Sequence, residues 1–101
     1  MAITRQPASV TITAVNDSLA FAVPVEVVGA SFQGTGLTAG QRVTLRDSAT
    51  VGSGSILADY AVQASSSSAD LWGPRPPRMV EAVGIDNNTV GGTWAVVLYI
   101  R

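Results

Sequence analysis

The chain has 101 residues, of which 47% are hydrophobic and 13% charged, with no Cys, no His and a net charge of −1. That length gives room for one domain with a single core, and the missing Cys and His exclude disulfides, thiolate metal sites and the commonest general base. The near-neutral charge excludes the basic footprint of a nucleic-acid binder, and no apolar run is long enough for a transmembrane helix.

In chain order, the hydrophobic pattern has period two almost throughout, the mark of half-buried strands. Residues 1–7 hold no apolar stretch of signal-peptide length and are read as an N-terminal arm, ordered or flexible. Residues 9–15 form a strand with Val10, Ile12 and Ala14 on one face and Ser9, Thr11 and Thr13 on the other. Over residues 19–28, Leu19, Phe21, Val23, Val25 and Val27 alternate with Ala20, Ala22, Pro24 and Glu26. Pro24 cannot donate to a ladder, so this strand lies at an edge or carries a bulge.

A glycine-rich flexible connection over 34–40 leads to a strand over 42–47, with Val43 and Leu45 inward and Arg42, Thr44 and Arg46 outward. After a Gly/Ser turn, a strand over 55–63 places Ile56, Ala58, Tyr60 and Val62 on one face. Residues 64–69 read as a loop tip, 70–72 as a short strand, and 73–77, with three prolines, as irregular. A strand over 78–86 sets Met79, Val83 and Ile85 against Val80 and Ala82, and a turn over 86–92 enters the terminal strand. No window combines helical spacing with caps. The expectation is an all-β chain: a single β-sandwich or jelly roll of about six to eight short antiparallel strands.

The terminal strand, 93–101, is apolar on both faces, with Trp94, Val96, Leu98 and Ile100 opposed to Ala95, Val97 and Tyr99. Such a strand is central in a layered structure or covered by another subunit. The sparse charge favours the subunit, and the other cover is a loop such as 65–77. All basic residues are Arg, a bias shared by protein–protein interfaces and by GC-rich genomes. The candidate contact residues are therefore Arg42, Arg46, Val97, Tyr99 and Arg101. Trp72 and Arg75 of the 72–78 loop offer a weaker partner surface; alternatively Trp72 caps the core while the prolines stiffen the loop.

Groups able to carry chemistry do not assemble in the sequence. The glycines of 34–40 lack dinucleotide spacing and precede a strand, not a helix. Asp86-Asn87-Asn88 offers oxygen ligands without the spacing of a calcium loop and reads as an Asx turn. The carboxylates are scattered, and the Ser65–Ser68 run has no base to activate it. No catalytic, cofactor-binding or metal residue is assigned, and no enzyme activity is expected.

Val43-Thr44-Leu45-Arg46-Asp47, the glycine turn Gly52-Ser53-Gly54 and the strand start Ile56-Leu57-Ala58 form one recognisable pattern. With Phe32-Gln33-Gly34 before it and Gly91-Gly92-Thr93 leading into a Val-rich terminal strand, it resembles small bacteriophage virion proteins. The likeness, to capsid decoration, cement or knob proteins of tailed phages, runs roughly from Val10 to the C-terminus. It implies a jelly-roll-like homo-oligomer, with a trimer favoured, assembled in the host cytoplasm into the virion. Its partner would be the major capsid protein or another virion protein, with no cofactor, nucleic acid or membrane. The alternative is a receptor- or carbohydrate-binding module of a tail or fibre, whose aromatic platform would draw on Trp72, Tyr60 and Tyr99.

Overall fold

The computed structural model describes residues 3–101 and, among them, contains eight strands and no helix. The strands are β1 (Ile3–Gln6), β2 (Ser9–Ile12), β3 (Asp17–Thr35), β4 (Arg42–Asp47), β5 (Ser55–Ala61), β6 (Ser66–Asp70), β7 (Arg78–Ile85) and β8 (Thr93–Ile100). Every pairing is antiparallel, and the strands join in one sheet of order β1-β2-β8-β3-β7-β4-β5, with β6 added to β3. The chain is all-β, as its period-two pattern requires.

The long strand β3 organises the sheet. Its first part, from Asp17 to Val27, pairs with β7, and its last part runs between β8 and β6. Strands from both ends of the order share one apolar cluster: Ile3, Val10 and Ile12 with Val43, Leu45 and Leu57. The sheet therefore curls back on itself around a core that holds no buried charged residue among those described. Phe32 lies inside it, with the rings of Tyr60 at 5.1 Å and Trp94 at 6.3 Å. Each fully buried Leu, Ile or Phe contributes about 1.5–3 kcal/mol through removal of apolar surface from water.

Where a strand is regular, side chains follow the alternation. Val43 and Leu45 of β4 are buried and Arg42, Thr44 and Arg46 face out. Departures occur at bulges, where one extra residue exchanges the two faces. In β3 the register with β7 slips between Ala20 and Val25, where five steps oppose two around Pro24; Phe21 and Val25 stay buried, but Val23, expected inward with them, lies in the unpaired stretch and is 71% exposed. A second slip between Val27 and Gly29 moves the inward set to Ala30 and Phe32. In β5, Ala58 pairs with Leu45 but Ile56 with Arg46, so Leu57 is the extra residue and turns inward. Ile56, expected on the inner face, is 48% exposed in consequence. In β7, Val80 and Val83 are both buried and Met79, expected beside Val83, is exposed. Between those valines the amides of Glu81 and Ala82 both donate to Asp47 Oδ1, at 3.3 and 3.4 Å.

Two expected non-strands are strands. The serine run, read as a loop tip, is β6, because the β3 backbone supplies an edge to pair with and an edge strand needs no buried side chains to form its ladder. Residues 3–6 of the arm form β1, which pairs with β2 and buries Ile3; Met1 and Ala2 lie outside the described residues. The reading of 70–72 as a strand gives way to the end of β6 and a turn, in which Asp70 Oδ1 accepts from the amides of Trp72 (3.0 Å) and Gly73 (3.2 Å). The strand expected over 9–15 stops at Ile12, and Gly34 and Thr35, expected in the flexible connection, belong to β3.

Candidate interaction face

β8 lies between β2 and β3, with Trp94, Val96, Leu98 and Ile100 on its core side and Thr93, Ala95, Val97 and Tyr99 on the other. The registers carry that outer side across five strands. Tyr99 lies opposite Ser9 and Gly29, and Ser9 opposite Gln6. Val97 continues through Thr11 to Thr4 on one side and through Ser31 to Asp70 on the other. Ala95 leads through Gln33 to Ser68, and Thr93 through Thr35 to Ser66. Hydroxyls and amides therefore surround a short apolar centre. Asp70, at one corner, is the single charged side chain in these rows.

At that centre Tyr99 is 46% exposed. Its Cδ2 stands 3.4 Å from where a Gly29 Cβ would be, so the ring lies across the side-chain-free glycine. The Tyr99 hydroxyl lies 3.5 Å from Ser31 Oγ, at the limit of a hydrogen bond. One end of the face is hollowed into a groove of about 570 Å3, lined by Gln33, Thr35, Ser66, Ser68, Thr93 and Trp94 among others. These polar groups are neutral donors and acceptors, and Trp94 adjoins them while its ring stacks on Phe32 toward the core.

The arginines singled out in the sequence lie elsewhere or are already engaged. Arg42 pairs with Asp59 at 2.8 Å and Arg46 with Asp86 at 2.9 Å, both outside the five strands of the face. Arg101, just past β8, pairs with Glu26 at 2.6 Å. The Arg42 hydrogen bond holds the Asp59 carboxyl below its ordinary range; partial burial opposes this, and a 3.1 Å bond from Thr44 Oγ1 adds to it. Of the candidates, then, the structure brings Val97 and Tyr99 together and separates them from Arg42 and Arg46.

Trp72 is 4% exposed and belongs to the core. Arg75 lies over its ring, 4.0 Å from the centroid, and donates to Leu57 O at 2.6 Å and Trp72 O at 3.1 Å. The loop is thereby fastened along the outer edge of β5. Tyr60 packs on Phe32, so Tyr99 is the one exposed ring of the three proposed for an aromatic platform. Among the described residues no three Asp or Glu side chains converge as a metal site, and Asn88 Oδ1 accepts from the Val90 amide at 3.2 Å.

Sequence reading missed the polar partners of this face: Ser31, Gln33, Thr35 and the β6 serines. Their signal was present only as a lack of charge at alternate positions, and the bulge at Val27/Gly29 hid which positions those were. No protein-family model, curated protein or solved structure matches the chain.

Proposed function

We propose that the chain is a structural subunit of a tailed-phage particle, of the decoration or cement kind, that works by adhesion. The observation that carries this reading is the outer face of β1, β2, β8, β3 and β6, which holds Val97 and Tyr99 and is charged only near its margins, at Asp70 and at the Arg101–Glu26 pair beyond Tyr99. Soluble monomers usually intersperse charges of both signs over their surfaces. Interface cores are depleted in charge and enriched in Tyr, because little desolvation cost accompanies their burial. Ser, Thr and Gln side chains across the rest of the face supply hydrogen bonds to a flat partner. An interface of ordinary size covers about 800 Å2 on each partner. The assignment to a phage particle rests on the resemblance carried by residues 43–58 and the Gly91-Gly92-Thr93 turn.

Two measurements test the reading. Native mass spectrometry should show an oligomer, and the purified chain should co-sediment with empty capsids of its own particle. A monomer at high concentration that ignores those capsids would overturn it. The groove beside Trp94 favours a second reading, a glycan-binding module of a tail or fibre. That reading expects neutral oligosaccharides to change Trp fluorescence, and an unchanged spectrum at saturating glycan removes it.

A further inference from the structure

We infer that the outer edge of β6 pairs with β6 of a second copy of this chain, antiparallel, about a two-fold axis through Ser68. The inference stands apart from the phage reading, since it depends only on how the sheet ends.

The hydrogen bond from Leu71 N to Ala30 O, at 2.8 Å, sets the phase of the β3–β6 ladder. With the register running unbroken from Ser31↔Asp70 to Thr35↔Ser66, Ser67 and Ala69 turn their backbone groups toward β3. Ser66, Ser68 and Asp70 turn theirs away. Among the described residues no other strand pairs with β6, and these three residues are exposed.

An unpaired edge invites a further strand, and proteins blunt edges with Pro, charge, bulges or a covering loop. The other open edges here carry such devices. The β5 edge is closed by the Arg75 guanidinium on Leu57 O and by Arg78 on Ser55 Oγ, at 2.6 Å each. The stretch of β3 before Val25 is interrupted by Pro24 and its register slip. β1 is four residues long, carries Arg5 and runs into Pro7. β6 is the least protected: Ser66 to Ala69 is neutral, unbulged and free of Pro, and Asp70 at its end is its one charge.

The edge is also complementary to itself. With the axis through Ser68, that residue meets its own counterpart and Ser66 meets the counterpart of Asp70. Each carboxylate thus faces a hydroxyl. The two Asp70 residues stand four positions apart along the paired strands, roughly 14 Å at about 3.4 Å per residue, beyond the ~8 Å Debye length at physiological salt. Pairing in this way makes the two outer faces continuous.

The test is mass under native conditions. The wild type should have twice 10.4 kDa, or an even multiple of it, at high concentration. Ser68→Pro removes an N–H that the fold itself does not use; its circular dichroism should be unchanged and its mass halved. Ser68→Cys gives an independent readout in a chain without Cys. Hydrogen-bonded cross-strand partners have Cα atoms about 5.5 Å apart, inside the disulfide range, so mild oxidation should give a linked dimer. Ser53→Cys, in an exposed turn, should give none. A wild type of single-chain mass, a folded Ser68→Pro that keeps the wild-type mass, or a Ser68→Cys that does not cross-link would overturn the inference. Loss of capsid binding with the linked dimer intact would fail the adhesion reading alone.

Discussion

Gly92 combines two separate reasons to be glycine. Its φ is +65°, a region that side chains disfavour, and a Cβ built there would lie 2.2 Å from Thr35 O. Gly40 offers the comparison, with φ +88° and nothing within 4 Å of a built Cβ. Gly40→Ala should cost only the backbone strain, about 1–2 kcal/mol; Gly92→Ala should cost clearly more in urea unfolding, because Thr35 or the turn must move. The sequence marks Gly91-Gly92-Thr93 as a turn, but nothing in it shows that Thr35 lies alongside. Asp59 makes a second prediction at this scale. Its carboxyl is held below the ordinary range in the folded chain by the Arg42 hydrogen bond, so as pH falls the unfolded chain takes up the proton first. The contribution of the pair is complete above the unfolded value of about 4. It is lost as pH falls through the lowered folded value. Asp59→Asn should therefore flatten the acid limb of the stability curve, and the two proteins should converge at low pH; parallel curves would show that the pair does not contribute.

At the scale of elements, the alternation was legible and its interruptions were not. β4 could be read residue by residue because Val43 and Leu45 meet no bulge before Leu45. The inner faces of β3, β5 and β7 change sides at Val27/Gly29, Leu57 and Glu81–Ala82, and each bulge is set by a partner strand distant in sequence. β6 was hidden for a related reason: a strand held by its neighbour's backbone leaves no hydrophobic pattern to read. The 72–78 loop shows the same dependence, since Arg75 acts on β5, far from it in sequence. Arg75→Ala removes the hydrogen bonds to the carbonyls of Leu57, Trp72 and Leu71 and the stacking on Trp72, and should cost about 2–3 kcal/mol. Arg75→Lys should recover little of it, because an ammonium cannot reproduce the planar fork. Urea unfolding measures the loss. Light scattering should show more aggregation in both variants as the β5 edge opens.

Over the whole molecule, charge and adhesion are segregated. The ion pairs Arg42–Asp59, Arg46–Asp86 and Arg78–Asp47 tie β4 to β5, to the segment after β7 and to β7, while the outer face of the other strands carries charge only near its margins, at Asp70 and the Arg101–Glu26 pair. The sequence exposed half of this arrangement: Val97 and Tyr99 were visible as an apolar second face of β8. The arginines were visible only as free cations, since their partners lie on other strands. This segregation separates two ways in which the subunit could associate. Contacts through Arg42, Arg46 and Arg101 would weaken steeply with added salt and would first have to break their internal pairs. Contacts through the neutral face should hold their affinity as salt rises. Tyr99→Asp puts a charge on that face, where burial without a partner is costly, while loss of the ring over Gly29 should cost the fold about 1 kcal/mol and leave it folded. Native mass measured across a salt series should therefore be constant for the wild type and should drop for Tyr99→Asp to the unit joined through β6. A mass that falls with salt and ignores Tyr99→Asp would place the contact on the arginines instead.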